Sequence, residues 1–275
     1  MKIFYFTGTG NSLAVAKAID NAISAGKESA ELISIPQVME SNGLHYKDDI
    51  IGIVFPAYSL GLPNPVVKFL RKVKLKADYL FGIATKGGWA GAVLTQLKRR
   101  GKRYGFAFNY LNDIVMVDNS IPLCNLEKEM IDIKKKNTEE KLALIIEDIK
   151  NRKQYIKKPS LFARCGTLIL GRLLSHERLC RIFSCNRYYA DSECNKCRVC
   201  VKLCPANNIS VTDSVKFGKK CVACTSCVHN CPRNAIRIKR ERSKLRWRHP
   251  DVTVDELVKA NSRVKSEQKI EQTEE

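Results

Sequence analysis

The sequence predicts an α/β protein: a doubly wound parallel sheet of five strands, followed by a small α+β domain. Three observations carry this. Over residues 1–152 apolar, strand-like runs alternate with amphipathic helical stretches, the pattern of βαβ units. The first strand runs into Thr7-Gly8-Thr9-Gly10-Asn11-Ser12, a glycine and hydroxyl loop that opens a helix. Far downstream, Cys194-x-x-Cys197-x-x-Cys200-x-x-x-Cys204-Pro205 recurs at an offset of 27 residues as Cys221-x-x-Cys224-x-x-Cys227-x-x-x-Cys231-Pro232. Such an internal repeat implies two similar lobes about a pseudo-twofold axis. The expected division is 1–152 for the sheet domain, 153–190 for a basic helical linker, 191–240 for the cysteine-rich domain and 241–275 for a basic, then polar, tail.

Residues 2–6 read as a buried strand and Leu13 to Ser24 as its amphipathic helix. A helix N-terminus behind a Gly/Thr loop points backbone N–H groups at an anion, and a phosphate suits it. Walker A is excluded, because no Gly-Lys-Ser/Thr is present. The dinucleotide fingerprint fails as well. Leu13 stands where the third glycine belongs, and Glu31 begins the second strand, Glu31 to Ile35, instead of following it.

Ile50 to Phe55 is a continuous apolar strand of the kind buried in a parallel sheet. The loop Pro56-Ala57-Tyr58-Ser59-Leu60-Gly61-Leu62-Pro63 leads into a helix over Asn64 to Val73, with Pro65 in its first turn. Tyr79 to Thr85 is the fourth strand. Its loop Thr85-Lys86-Gly87-Gly88-Trp89-Ala90-Gly91 opens a helix through Arg100. Gly105 to Val117 supplies the fifth strand, ending in Asp118-Asn119-Ser120, and one long helix from Leu126 to Arg152 closes the domain. Ligands of doubly wound sheets bind beyond the carboxyl ends of the strands, where these loops converge.

Between 153 and 190 the composition turns basic. Leu161 to Phe183 reads as an amphipathic helix that packs between domains; peripheral contact with an anionic membrane stays open. Cys165, Cys180 and Cys185 there fall outside the repeat and read as ordinary buried thiols, with extra ligands as the alternative; Cys124, earlier, has no assigned role.

The repeat itself carries the chemistry. A cubane needs four thiolates, three from one close run and one from a distance. Cys194, Cys197 and Cys200 would hold one [4Fe–4S] cluster with Cys231; Cys221, Cys224 and Cys227 would hold the other with Cys204. Zinc has no use for the regular third cysteine of each run. Disulfides would need an oxidising compartment. No export signal follows Met1-Lys2, and no apolar run approaches the roughly 18 residues of a spanning helix. A cytoplasmic protein is expected.

This segment resembles the two-cluster bacterial ferredoxins at all eight ligands and both prolines. The loop from Thr7 to Ser12 looks like the flavodoxin loop that holds the monophosphate of FMN. That resemblance implies a flavin site made of Thr7, Gly8, Thr9, Gly10, Asn11, Ser12, Pro56, Ala57, Tyr58, Thr85, Gly87, Gly88 and Trp89. Tyr58 matches the aromatic stacked on the ring, and Trp89 stands ready for the other face. The whole arrangement, with Phe55-Pro56-Ala57-Tyr58 and Arg246-Trp247-Arg248-His249-Pro250, resembles the flavodoxin–ferredoxin fusion proteins of anaerobes, the EFR-type ferrodoxins. At the end of the fifth strand the chain carries Val117-Asp118-Asn119-Ser120 where those relatives have a Pro and an Asn-Tyr pair.

An electron carrier joining FMN to two clusters is the expected function, with a redox partner protein. The formal charge of +20, from 48 basic and 28 acidic residues, favours an acidic one. A flavin-dependent reductase is the second reading, for which no proton donor stands out: His45 falls in an expected loop and His176 in the linker. A cluster-containing nucleic-acid binder is the third. It is disfavoured, because only Trp247 interleaves with the basic run Lys239–Arg248. Lys219, Lys220 and His229 lie close to the clusters in sequence, with His229 expected to face solvent.

Overall fold

The structure, a computed structural model, describes residues 1–24, 29–41, 44–58, 61–160 and 187–262. Strands β1 (Lys2–Tyr5), β2 (Glu31–Ser34), β3 (His45–Pro56), β4 (Lys74–Lys86), β5 (Tyr110–Val115) and β6 (Tyr155–Ile156) form one sheet in the order β2-β1-β3-β4-β5-β6. Every neighbouring pair is parallel. The order is that of flavodoxin-like doubly wound sheets, with its switch point between β1 and β3. Strand centres such as Phe4, Ile53, Phe81 and Leu111 are fully buried, because helices cover both faces. On one face α3 (Asn64–Lys72) and α4 (Val93–Arg103) contribute Val66, Phe69, Val93 and Leu97. On the other, α1 (Asn11–Ile23) and α6 (Thr138–Lys150) contribute Val15, Ile19, Ile145 and Ile149.

Several sequence expectations are corrected here. The sheet has six strands instead of five; β6 is two residues long and follows the charged end of a helix, so its pattern is too short to read. β3 and β4 begin earlier than their apolar runs, since their first halves alternate in exposure while pairing from His45↔Lys74 onward. His45 therefore opens a strand and does not sit in a loop. The fifth strand is shorter than expected. The long helix after it breaks into α5 (Leu126–Asp132), a 3-10 turn (Ile133–Lys136) and α6. Asn137 makes the break at φ 48°, a left-handed conformation that asparagine tolerates. A four-residue α2 (Ile35–Val38) starts where the second strand was expected to end.

The cysteine-rich region keeps the repeat in three dimensions. β7 (Tyr188–Ala190), α7 (Val199–Lys202) and β8 (Ile209–Val211) form one lobe; β9 (Val215–Phe217), α8 (Ser226–His229) and β10 (Ile236–Ile238) form the other. β10 pairs antiparallel with β7, and β8 with β9, so each lobe completes its partner's ribbon. Left-handed residues recur in register: Lys196, Arg198 and Asn207 at φ 58°, 63° and 47°, against Ala223, Thr225 and Asn234 at 55°, 55° and 50°.

Residues 241–262 are not a tail. They return to the sheet domain as a strap ending in α9 (Val254–Asn261), whose first turn is held by a capping box between Thr253 and Glu256. Val252, Leu257 and Ala260 are buried with α1. The Ser34 hydroxyl donates to the Ala260 carbonyl, and Lys17 pairs with Glu256 at 2.8 Å. The basic run is tied down locally: Arg246, 7% exposed, pairs with Glu241 at 3.2 Å. The helix expected over 161–183, with Cys165, Cys180, Cys185 and His176, and the polar end 265–275 lie outside the described residues. Among those described, no helix is long and apolar enough to cross a membrane.

Candidate functional site

A cavity of about 370 Å³ lies beyond the carboxyl ends of β1, β3, β4 and β5. Thr7, Gly8, Thr9, Asn11, Ser12, Pro56, Ala57, Tyr58, Thr85, Gly87, Gly88 and Trp89 line it, so twelve of the thirteen expected flavin-site residues meet there. Gly10 is the exception. It takes φ 103° as the N-cap of α1, and a Cβ there would stand 2.9 Å from that of His249 and 3.1 Å from that of Val252. The strap thus presses on the loop from behind, and the His249 amide donates to the Thr9 carbonyl at 2.9 Å.

The loop is braced by its own hydroxyls. Thr7 Oγ1 accepts the Gly10 amide at 3.1 Å, and the Ser12 and Thr85 hydroxyls are 2.8 Å apart. Asn119 donates to Thr9, and the Asn11 amide nitrogen donates to the Val117 carbonyl at 3.1 Å. No side chain caps α1, and its first turn carries no acid. That leaves the end of the helix dipole free for an anion. Asn11 Oδ1 is buried in the same wall without a hydrogen-bond partner.

Tyr58 forms an isolated antiparallel bridge with Gly61, exchanging N–H···O bonds at 3.1 and 2.9 Å, and its ring meets Phe6 edge-on at 6.2 Å. Trp89 is 47% exposed at the mouth. Lys136 ties the rim together from beneath, donating to the Gly87 carbonyl at 3.2 Å and the Met116 carbonyl at 2.8 Å while pairing with Glu129. Cys124, beside this network, has its thiol pushed up to about 12 by burial and by the Asp118 carboxylate. Sequence reasoning missed one wall altogether: Tyr188, Ala223 and Thr225 come from the cysteine-rich lobes. No local signal marks them, because only the docking of the lobes brings them there.

The eight cysteines of the repeat fall into two groups. Cys194, Cys197, Cys200 and Cys231 line one small pocket. Burial and then the neighbouring thiols of Cys197, Cys231 and Cys194 push Cys200 up to about 11. Cys224 is raised by burial and by Cys204 and Cys221, and Cys227 by burial and by Cys224, Cys221 and Cys204. Cys227 also senses Cys200, so the two groups approach each other through these two residues. Four soft thiols in each group, mutually repelling when ionised, make a donor set that a cationic iron core would balance. Among the described residues, no group of three or more His, Cys, Asp and Glu side chains is gathered closely enough to hold a single metal ion. The Asn208 amide donates to Cys204 Sγ and the Ala235 amide to Cys231 Sγ, both at 3.3 Å and again in repeat register.

The expectation that His229 faces solvent is overturned. It is 5% exposed, at the end of α8. Nδ1 accepts the Trp247 amide at 3.2 Å, so Nε2 carries the proton and donates to the Asn119 carbonyl at 2.8 Å. Burial pushes this imidazole down to about 4. It serves as a joint between α8, the strap and the cavity loop.

The two regions touch directly. A Cβ on Gly8 would come nearer to the Cys224 carbonyl oxygen than the 3.0 Å that real Cβ atoms keep, and would stand 2.9 Å from the Tyr58 hydroxyl. A glycine is required so that the second cysteine loop can lie on the wall of the cavity.

Residues 169–250 match the family described as a 4Fe-4S dicluster domain. No curated protein matches the chain. Solved structures similar to the sheet domain include two-electron reduced flavodoxin of Megasphaera elsdenii, 23% identical over 41% of this chain and 83% of that one (TM-score 0.33). A flavodoxin from the domain Archaea is 15% identical over 52% of this chain and 99% of that one (TM-score 0.29). Rubredoxin oxygen:oxidoreductase of Desulfovibrio gigas is 14% identical over 55% and 36% (TM-score 0.34). The fold is read from strand order and register, independently of these likenesses. By that strand order and the dicluster match, the chain joins a flavodoxin-like parallel sheet to a 4Fe-4S ferredoxin-like region in a single polypeptide.

Proposed function

We propose that this protein is an iron–sulfur flavoprotein electron carrier, with FMN in the cavity and two [4Fe–4S] clusters in the lobes. The observation that carries the reading is the contact of Gly8 with the Cys224 carbonyl, which puts the second cysteine group against the cavity wall. When bound, a flavin exchanges one or two electrons and a cubane one at a time. The chain's own groups fit the assignment. The uncapped start of α1 suits a phosphate, and the orphaned Asn11 Oδ1 is an acceptor waiting for a hydroxyl donor of the kind a ribityl chain offers. Three aromatic residues, Tyr58, Trp89 and Tyr188, line the cavity, and Tyr58 and Trp89 are the two assigned to flank the flat ring. The Asn208 and Ala235 amides donate to the Cys204 and Cys231 sulfurs and favour the more negative cluster state.

Of the charged side chains lining the described cavity, Lys86 pairs with Asp113 at 2.8 Å and Asp118 Oδ1 accepts the Ser120 amide at 3.0 Å. Both are engaged within the protein, which favours the carrier over the reductase reading. Anaerobic purification followed by iron, sulfide and flavin analysis tests the proposal. About eight iron and one FMN per chain are expected; zinc without sulfide, or clusters without flavin, would overturn it.

A further inference from the structure

The two lobes present the same loop edge to different surroundings. In the second lobe that edge is Ala223-Cys224-Thr225. Ala223 and Thr225 line the cavity, and Cys224 is 9% exposed. The repeat offset maps these onto Lys196, Cys197 and Arg198 of the first lobe, whose left-handed φ angles match their counterparts. There Cys197 is exposed, and so are Lys196 and Arg198. One backbone shape thus carries small, uncharged side chains where it meets the cavity and two cations where it meets solvent. Arg233, also exposed, adds a third cation to the same pocket and pairs with Glu193 at 3.5 Å. Arg198 donates to the Val211 carbonyl at 3.3 Å, which holds its guanidinium against the lobe.

We propose that the edge Lys196-Cys197-Arg198, with Arg233, is the docking surface for an acidic one-electron carrier protein, and that the Cys194–Cys200 group with Cys231 is the terminal relay. The Cys221–Cys227 group with Cys204 is then the inner relay. This rests on the electron-carrier reading above. Each encounter oxidises the partner's centre by one electron and reduces this chain by one; two encounters and two protons from solvent balance a two-electron reduction at the flavin. The cations concentrate an acidic partner at Cys197, the most exposed cysteine of the outer group.

The test uses anaerobically purified holoprotein and an acidic plant-type [2Fe–2S] ferredoxin as the probe. Titration calorimetry at low ionic strength measures binding to wild type, to Lys196→Glu/Arg198→Glu, and to Lys98→Glu/Arg99→Glu on the exposed face of α4. The first variant is expected to bind about tenfold more weakly, the difference shrinking in roughly 0.5 M salt. The α4 variant is expected to stay within about twofold of wild type. Equal weakening by the two variants, weakening by the α4 variant alone, or no binding by wild type overturns the proposal. Iron and flavin contents and flavin bleaching by dithionite, recorded on the same samples, distinguish this from failure of the carrier reading, which would show as missing iron or flavin in wild type.

Discussion

Replacing Gly8 by alanine tests the junction between cavity and lobes. The added methyl group would overlap the Cys224 carbonyl oxygen and press on the Tyr58 hydroxyl at 2.9 Å, where ordinary contact begins at 3.4 Å. To restore such contact, the cysteine loop or Tyr58 must retreat by roughly 1 Å. The obstacle is backbone, which cannot rotate away as a flexible side chain can. Overpacking of this kind costs about 1–3 kcal/mol. At about 2–4 °C per kcal/mol, the expected loss is on the order of 2–12 °C in the first melting transition. Gly88→Ala is the control: its Cβ meets nothing within 4 Å, so the flavin-free protein should melt within about 1 °C of wild type. Calorimetry on the two variants, with flavin reduction through the clusters followed by stopped flow, reads both consequences. A Gly8→Ala protein with unchanged melting and unchanged transfer would show that the Cys224 loop is not seated on the cavity wall, and the order of relays argued above would go with it.

On the proposed assignment, Cys231→Ser should disturb the cluster assigned to Cys194, Cys197 and Cys200, because Cys231 shares their pocket; electron paramagnetic resonance of the reduced protein should lose that signal and keep the second. His229→Ala leaves the Trp247 amide and the Asn119 carbonyl without their partner, at about 1–3 kcal/mol for each group, measured by denaturant titration. Tyr79 is pushed up to about 12, mainly by burial, and its hydroxyl donates to the Lys153 carbonyl at 2.8 Å. The folded protein therefore holds this proton above the ordinary value of 10.0, and the stability it contributes is present below pH 10 and lost as pH rises towards 12. Tyr79→Phe should cost about 1 kcal/mol at pH 8 and weaken the decline above pH 10, as melting temperatures across that range would show.

What the sequence made legible is what local spacing encodes. The eight cysteines and the loop from Thr7 to Ser12 carry their geometry in a few consecutive residues, and the structure brings each set together. The apolar runs of β1, β3 and β4 likewise announce a sheet buried on both faces. What stayed hidden depends on contacts between distant segments. His229 occupies the repeat position of Lys202, an exposed cation, and nothing nearby in sequence tells that α8 faces Asn119. Ala223 and Thr225 look like filler between cysteines until the lobe docks on the cavity. The run Lys239–Arg248 reads as a solvated charge cluster, yet Arg246 is buried against Glu241 and the chain beyond it supplies Val252 and Leu257 to the core.

That return has a consequence in time. Synthesis proceeds from the N-terminus, and a leading domain can begin to fold while the rest is still being made. The loop from Thr7 to Ser12 emerges before both cysteine blocks. Its rear support, His249 and Val252 against Gly10, emerges after them. Between the two events the ribosome must deliver both cysteine blocks. The loop from Thr7 to Ser12 therefore gains this rear support only after both cysteine blocks have been made, so its last stabilising contacts form later than its own strand and helix.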